Sequence, residues 1–171
     1  MSNSSNYESG PVSFGAKLAS SQAFMALFRD GMALVEETAA YLDGPGRQEA
    51  KALDRNAALS YATESMRLTT RLMQLASWLL LHRAVNEGEM SLAQANQEKS
   101  KVKLTGPNGH EDAVRVLPER LQALIDRSVR LQDRVVRLDA TIHAGEPETA
   151  DDNPVERQLG LLKAAFERDR S

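Results

Sequence analysis

The chain has 171 residues, with 21 Lys and Arg against 24 Asp and Glu, and it contains three His and no Cys. The lack of cysteine excludes disulfides, thiolate zinc sites and cysteine nucleophiles, and a net charge of −3 argues against a dedicated nucleic-acid binder. Aromatic residues make up 5% of the chain, which is low for an antiparallel β domain. The composition therefore favours an all-α protein.

The N-terminal residues 1–12 are rich in Ser, Asn and Gly and carry no positive charge. They lack the basic stretch and apolar run of a signal peptide. The most apolar stretch, residues 75–81, is followed at once by His82 and Arg83, far short of the ~20 apolar residues that a membrane span needs. We therefore predict a cytoplasmic protein without membrane insertion, whose residues 1–12 form a disordered arm.

The first predicted helix begins at Ser13 and ends at Gly44-Pro45-Gly46. Its apolar residues recur at steps of four and three along one face, and a second row lies beside the first. Two rows predict a helix that packs on two neighbours. The first row is Phe14, Leu18, Met25, Phe28, Met32, Val35, Ala39 and Leu42, and the second is Phe24, Leu27, Leu34 and Tyr41.

A second helix is predicted from about Gln48 to Asn86. One apolar row is Tyr61, Leu68, Leu72, Leu75, Leu79 and His82, and another is Met66, Met73, Leu80 and Ala84. Near the C-terminal end the helix is apolar on nearly every side, and two neighbouring helices cannot cover such a helix completely. We therefore predict a dimer or partner surface formed by Arg67, Arg71, Met73, Trp78, Leu80 and Leu81.

Two features of this helix have an alternative reading. Arg67 and Arg71 either form a charged patch for an acidic partner or are neutralised internally, for example by Glu64. The methionines of the first two helices are expected mostly to fill the core, although methionine also suits adaptable binding surfaces.

The segment between the second and third helices is irregular in pattern. Ser91 to Gln94 has the sequence of a capping box, which predicts a short helix over about 91–99. From Lys99 to Arg115 the helical period is lost, and Gly106-Pro107-Asn108-Gly109 is a turn signal. The pattern fits either a small β-hairpin, with Val114 and Val116 across the turn, or a mobile loop.

The third helix is predicted to begin near Pro118. Its apolar seam keeps four-three spacing throughout and consists of Leu117, Leu121, Leu124, Ser128, Leu131, Val135, Leu138 and Ile142. The opposite face carries arginines, which we read as a solvated face with weak ion pairs. They are Arg120, Arg127, Arg130, Arg134 and Arg137.

Residues 144–171 hold 4 basic and 7 acidic groups, so the whole net charge lies there. Asn153-Pro154 is a cap followed by a first-turn proline, and an apolar row of Val155, Leu159, Leu162 and Phe166 follows. An isolated helix this short is marginal in water, so its apolar row is a candidate partner-binding element. We predict an antiparallel three-helix bundle over 13–143, and a flexible acidic tail over 144–171 with a conditional helix at 154–168.

No catalytic arrangement stands above background. Glu36, Glu37 and Glu64 are the best candidates for a carboxylate metal site in a bundle, but the seams are filled with Leu, Met and Phe. His82 lies on an apolar row, where a hydrogen-bonded core histidine is commoner than a ligand. We expect no enzyme activity, no cofactor and no metal site.

The stretch from Tyr61 to Gln74, continuing through Ala76-Ser77-Trp78-Leu79-Leu80, resembles the RcdA family, regulators of CtrA degradation in alphaproteobacteria. The resemblance extends across the body and includes the acidic tail. It implies a small dimeric three-helix protein that acts as an adaptor for the ClpXP protease during the cell cycle.

The resemblance also implies particular partners. They are a protease primed by a response-regulator adaptor, substrate proteins including the master regulator CtrA, and a further adaptor that binds cyclic di-GMP; recruitment to a cell pole is implied as well. An alternative function is a helical dimeric scaffold or transcription-associated regulator that binds DNA or protein through the arginine face of the third helix.

Overall fold

The computed structural model describes the backbone of residues 11–99 and 111–144 and the side chains of residues 21–99 and 112–143. Every regular element within these ranges is a helix, which confirms the all-α fold class. The helices are α1 (Pro11–Asp43), α2 (Pro45–Lys51), α3 (Arg55–Asn86), α4 (Leu92–Lys99), α5 (Glu111–Arg115) and α6 (Glu119–Ala144).

The prediction of one continuous helix from Gln48 to Asn86 was wrong, because the chain breaks between α2 and α3. Only Gly44 separates the end of α1 from Pro45, which begins α2, since proline suits a first helical turn, where its missing N–H would have no partner. Asp54 then caps α3, and its carboxylate accepts a hydrogen bond of 2.8 Å from the N–H of Ala57.

Contacts among the long helices fix their directions. Arg134 on α6 pairs with Asp30 on α1, and Arg127 pairs with Glu37, so α1 and α6 are antiparallel. Phe24 packs on Trp78, while Leu42 and Thr69 line one groove, so α1 and α3 are antiparallel too. Consequently α3 and α6 run in the same direction, and the long connection between them returns the chain to the starting end. The predicted antiparallel arrangement therefore holds for α1 with each of the other two long helices, but it was wrong for α3 with α6.

The core consists of one face from each long helix. The predicted seam of α6 is buried from Leu117 to Val135, and the predicted α3 row is buried from Leu68 to His82. On α1 the second row is the buried one, whereas the first row is half-buried or exposed from Met25 to Leu42. Among residues 21–43 of α1 the buried side chains are Phe24, Leu27, Leu34, Thr38 and Tyr41.

The methionines correct a second expectation. Met25, Met66 and Met73 are more than half exposed, and Met32 and Met90 are half-buried, so no described methionine belongs to the core. Leucine and aromatic side chains fill the interior instead, and the described methionines lie at or near the surface.

The segment between α3 and α6 is partly helical. The predicted capping box is confirmed: Gln94 N–H donates to Ser91 Oγ at 3.1 Å, and Ser91 N–H donates to the Gln94 side chain at 3.0 Å. The alternative of a β-hairpin was wrong for its second strand, because Val114 lies in α5 and Val116 is exposed beyond it. Residues 100–110, which include the turn signal, lie outside the described residues.

The chain divides into two units, residues 1–138 and 139–171. All the contacts described above lie in the first. In the second unit the described residues form the last turns of α6, where Nδ1 of His143 lies 2.7 Å from the carbonyl oxygen of Asp139. The predicted conditional helix at 154–168 lies outside the described residues.

Tyr41 ties α2 to α1. Its hydroxyl donates a hydrogen bond of 2.5 Å to Glu49, and a Cβ on Gly46 would lie 2.7 Å from the Tyr41 carbonyl oxygen, so only glycine fits there. Burial, together with the Glu49 carboxylate, raises the pKa of the Tyr41 phenol above its ordinary value of 10.0.

We expect Tyr41→Phe to destabilise the fold by about 1 kcal/mol at neutral pH, because Glu49 loses its donor. Below the ordinary phenol pKa of 10.0 both folded and unfolded Tyr41 are protonated, so this difference is constant. Above it the unfolded chain ionises first and the wild type loses stability as pH rises. The melting temperatures of the wild type and the variant should therefore converge as pH rises from 8 to 11. A difference that stays constant over this range would contradict the assignment.

Candidate docking surface

One exposed face of α3 carries a regular apolar pattern, which we call the α3 stripe. Its large members recur every seven residues and are strongly exposed: Leu59 (69%), Met66 (71%), Met73 (66%) and Leu80 (54%). Small residues alternate with them at heptad spacing, namely Ala62, Thr69 and Ala76. A three-four alternation of this kind is the pattern by which one helix packs along another.

The α3 stripe is free of charge along its whole length. Between Arg55 and Arg83 the charged residues of α3 are Glu64, Arg67 and Arg71. Glu64 and Arg71 are buried, and Arg67 is half-buried. A solvent-facing helix surface normally carries Lys, Glu or Arg, whereas interface cores are depleted of charge and enriched in methionine. The composition of the stripe is that of an interface.

The α3 stripe also reads the same in both directions. From Leu59 to Leu80 the residue types are Leu, Ala, Met, Thr, Met, Ala and Leu, with Thr69 at the centre. If two copies pair antiparallel about Thr69, Leu59 faces Leu80 and Met66 faces Met73. A two-fold interface requires such a self-complementary surface, because every contact from one residue of the first copy to a second residue of the other copy is repeated in the opposite direction.

A shallow groove of about 290 Å³ extends this surface towards α1. Its walls are almost entirely apolar, and Thr69, Met73 and Ala76 of the stripe form one of them. The α1 wall consists of Val35, Thr38, Ala39, Leu42 and Asp43, of which Val35, Ala39 and Leu42 belong to the first predicted row. Val35 and Leu42 are half-buried and Ala39 is exposed, so these three add apolar area beside the stripe.

Two residues of the predicted dimer or partner surface are in the interior instead. Trp78 is 1% exposed, and its ring centroid lies 6.2 Å from Phe24 and 4.1 Å from His82. Arg71 is 7% exposed and points into the interface with α6. The prediction for these two was wrong, because a helix with two apolar rows turns only one of them to solvent.

The other predicted members lie at or near the surface. Met73 and Leu80 are exposed and belong to the α3 stripe, Leu81 is half-buried, and Arg67 pairs with Glu64. Sequence reasoning missed Leu59, Met66, Thr69 and Ala76 as surface members. The signal that identifies them is the seven-residue repeat in a stretch whose charges all fall on other faces.

Arg71 is held by a buried polar network. One guanidinium nitrogen donates to Ser128 Oγ at 2.9 Å, and that hydroxyl donates to the Ile125 carbonyl oxygen at 2.6 Å. Burial lowers the pKa of Arg71, and the nearby Glu64 carboxylate opposes this shift. The one polar residue in the α6 seam is thus the acceptor for a buried arginine. Glu64 forms an ion pair with Arg67, as the alternative of internal neutralisation predicted, whereas Arg71 is buried with a hydrogen bond to the neutral Ser128 hydroxyl.

The arginine face of α6 is also neutralised. Arg127 and Arg134 pair with α1 carboxylates at 2.6 and 2.9 Å, Arg130 pairs with Asp126 at 2.9 Å, and Arg120 lies 5.3 Å from the ring centre of Tyr41. The Arg127 and Arg134 pairs join α6 to α1 and the Arg130 pair lies within α6, so these arginines are ion-paired although their side chains are exposed. They give no support to a DNA-binding role for this face.

Comparison with known proteins identifies the family to which the chain belongs. A family described as "Protein of unknown function (DUF1465)" matches residues 15–166. The crystal structure of RcdA from Caulobacter crescentus CB15 is 53% identical in sequence, covers 72% of this chain and 92% of its own, and superposes with a TM-score of 0.60. The chain belongs to the RcdA family. The sequence matches no curated protein.

The RcdA-family match covers the whole α3 stripe, since residues 15–166 contain all three long helices apart from the start of α1. In the described part of this RcdA-family chain no helix is long and apolar enough to cross a membrane, and no group of three or more His, Asp or Glu is placed to hold a metal ion. Glu37 and Glu64, weighed above as metal ligands, are paired with arginines. The predicted partner-binding residues Val155, Leu159, Leu162 and Phe166 lie outside the described residues.

Proposed function

We propose that this RcdA-family chain is a non-catalytic adaptor that delivers substrates or further adaptors to the ClpXP protease during the cell cycle, CtrA among them. The observation that carries the proposal is the 53% identity to RcdA over 92% of that chain. The α3 stripe supports it, because an exposed apolar surface with helix-packing spacing is typical of a protein that binds other proteins.

The chain acts as a homodimer in this proposal, and the α3 stripe is the dimer surface. Three features of the stripe support a second copy as its occupant: the heptad spacing, the absence of charge and the palindromic order of residue types. Small residues at Ala62, Thr69 and Ala76 allow the two backbones to approach closely. The large members of each copy then fill the spaces beside the small members of the other.

The remaining partners follow from family membership. They are ClpXP carrying its response-regulator priming adaptor, substrate proteins, and a cyclic-di-GMP-binding adaptor, all met in the cytoplasm at a cell pole. The apolar row of Val155, Leu159, Leu162 and Phe166 supplies a second, tethered contact. Tethering raises the effective concentration of a weak element, so a short helix suffices for it.

The proposal is tested by reconstituted proteolysis. CtrA is incubated with ClpXP, the priming adaptor and the cyclic-di-GMP-binding adaptor, and its loss is followed with and without the full chain. We expect degradation to require the chain and to saturate with its concentration, while the chain itself is not consumed. Unchanged CtrA degradation across the concentration range would contradict the adaptor role.

A further inference from the structure

The five methionines whose side chains the structure describes are exposed or half-buried. Met66 and Met73 are 71% and 66% exposed, and they are the two central large members of the α3 stripe. Methionine is ordinarily a core residue, yet none of the described buried side chains is a methionine. Since the chain has no cysteine, all its sulfur belongs to methionine, and two of its six methionines lie in the α3 stripe, where a partner would pack.

We propose that Met66 and Met73 are oxidation sites through which a peroxide controls pairing of the α3 stripe. This inference rests on the proposed function, which makes the stripe the dimer surface. Each thioether attacks one oxygen of hydrogen peroxide, an S–O bond forms as the O–O bond breaks, and the products are methionine sulfoxide and water. The sulfur loses two electrons and the peroxide gains them.

The position of the two sulfurs determines the consequence. In the antiparallel pairing about Thr69, Met66 of one copy faces Met73 of the other, so each dimer has two such contacts at its centre. A sulfoxide is polar, and the small stripe residues give it no donor. Ala62 and Ala76 have no polar side chain, and the Thr69 hydroxyl already donates to the Ser65 carbonyl oxygen at 2.8 Å. Burial of the sulfoxide therefore opposes pairing. Oxidation occurs on separated chains, in which these side chains are exposed.

The position of the other methionines makes this a switch and not damage. Met25 is exposed on α1, and Met32 and Met90 are half-buried. Because none of the five described methionines is in the core, sulfoxide formation leaves the packing around Trp78 and Leu124 intact. The folded chain therefore survives oxidation with an altered surface, and methionine sulfoxide reductases restore the original side chains.

The test compares dissociation constants before and after peroxide. The full chain is treated with hydrogen peroxide, oxidation at each methionine is quantified by peptide mass spectrometry, and the dimer constant is measured by sedimentation equilibrium. We expect the dissociation constant to rise roughly tenfold or more once Met66 and Met73 are oxidised. The helical circular dichroism and the melting temperature should be retained, and reductase treatment should reverse the change.

Two variants serve as controls, each compared with its own untreated sample. Combined Met66→Leu and Met73→Leu should abolish the response to peroxide, whereas Met25→Leu should respond as the wild type does. A dimer dissociation constant that is unchanged after complete oxidation would overturn this inference while leaving the adaptor role intact. Loss of helical circular dichroism on oxidation would do the same. A chain that is monomeric before treatment would overturn both the stripe as dimer surface and this inference.

Discussion

Met66→Glu should convert the chain into a monomer with an unchanged melting temperature. The side chain is 71% exposed, so a polar residue there costs the isolated fold less than about 0.5 kcal/mol. In the dimer it would bury two carboxylates against the apolar Met73 of the partner, without compensating charge. Sedimentation equilibrium measures the loss of dimer, and thermal melting establishes that the fold is retained.

The matched control is Val136→Glu, at a residue that is 47% exposed on α6 and lies outside the α3 stripe. It places the same charge at an exposed apolar side chain on another helix and should leave the dimer unaffected. If Val136→Glu dissociates the dimer and Met66→Glu does not, the interface lies on another face.

Combining Met66→Glu with Met73→Lys distinguishes antiparallel from parallel pairing. In the antiparallel register each introduced carboxylate faces the partner's introduced ammonium, so association should recover relative to Met66→Glu alone. In a parallel register like charges would face each other and association would weaken further. Recovery that disappears at high salt would confirm that the gain is electrostatic.

Trp78→Ala should destabilise the fold severely, by about 3–5 kcal/mol. Trp78 is 1% exposed and touches the rings of Phe24 and His82, so its removal leaves a cavity between α1 and α3. For a chain of this length that loss lowers the melting temperature by roughly 10 °C. Chemical denaturation monitored by helical circular dichroism gives the free energy directly.

Leu80→Ala is the comparison for Trp78, because the two residues are near neighbours on α3 but face opposite environments. Leu80 is 54% exposed, so its truncation should change the free energy of unfolding by less than about 1 kcal/mol and weaken self-association instead. A stable Trp78→Ala variant that is merely monomeric would mean that Trp78 belongs to the interface, as the sequence had suggested.

Sequence periodicity predicted the fold well where one face alone is buried. The α6 seam from Leu117 to Val135 was predicted residue by residue, because the face opposite it carries the arginines, although Ile125, which is buried beside the seam, was not predicted. On α1 two apolar rows compete, and their relative burial depends on where α3 and α6 lie. Local pattern does not specify this, so it did not indicate that Phe24 and Leu27 are buried while Met25 is exposed.

The docking surface was predicted only in part for the same reason. Met73 and Leu80 were identified because α3 is apolar on nearly every side, but the choice between Trp78 and Leu80 as the outward residue needed the position of α1. Arg71 was expected at the surface because arginine is rarely buried. Its partner Ser128 is 57 residues away in the chain, which no local pattern reveals.

The most direct test of the central claim, that the α3 stripe pairs two copies about Thr69, uses the chain's lack of cysteine. Thr69→Cys introduces a single thiol at the two-fold centre, where the small neighbours allow the ~4.4–6.8 Å between Cα atoms that a disulfide requires. Mild oxidation should link this variant almost completely into a covalent dimer that retains its helicity, while Val136→Cys stays unlinked at the same concentration. Linking at Val136 without linking at Thr69 would contradict the account.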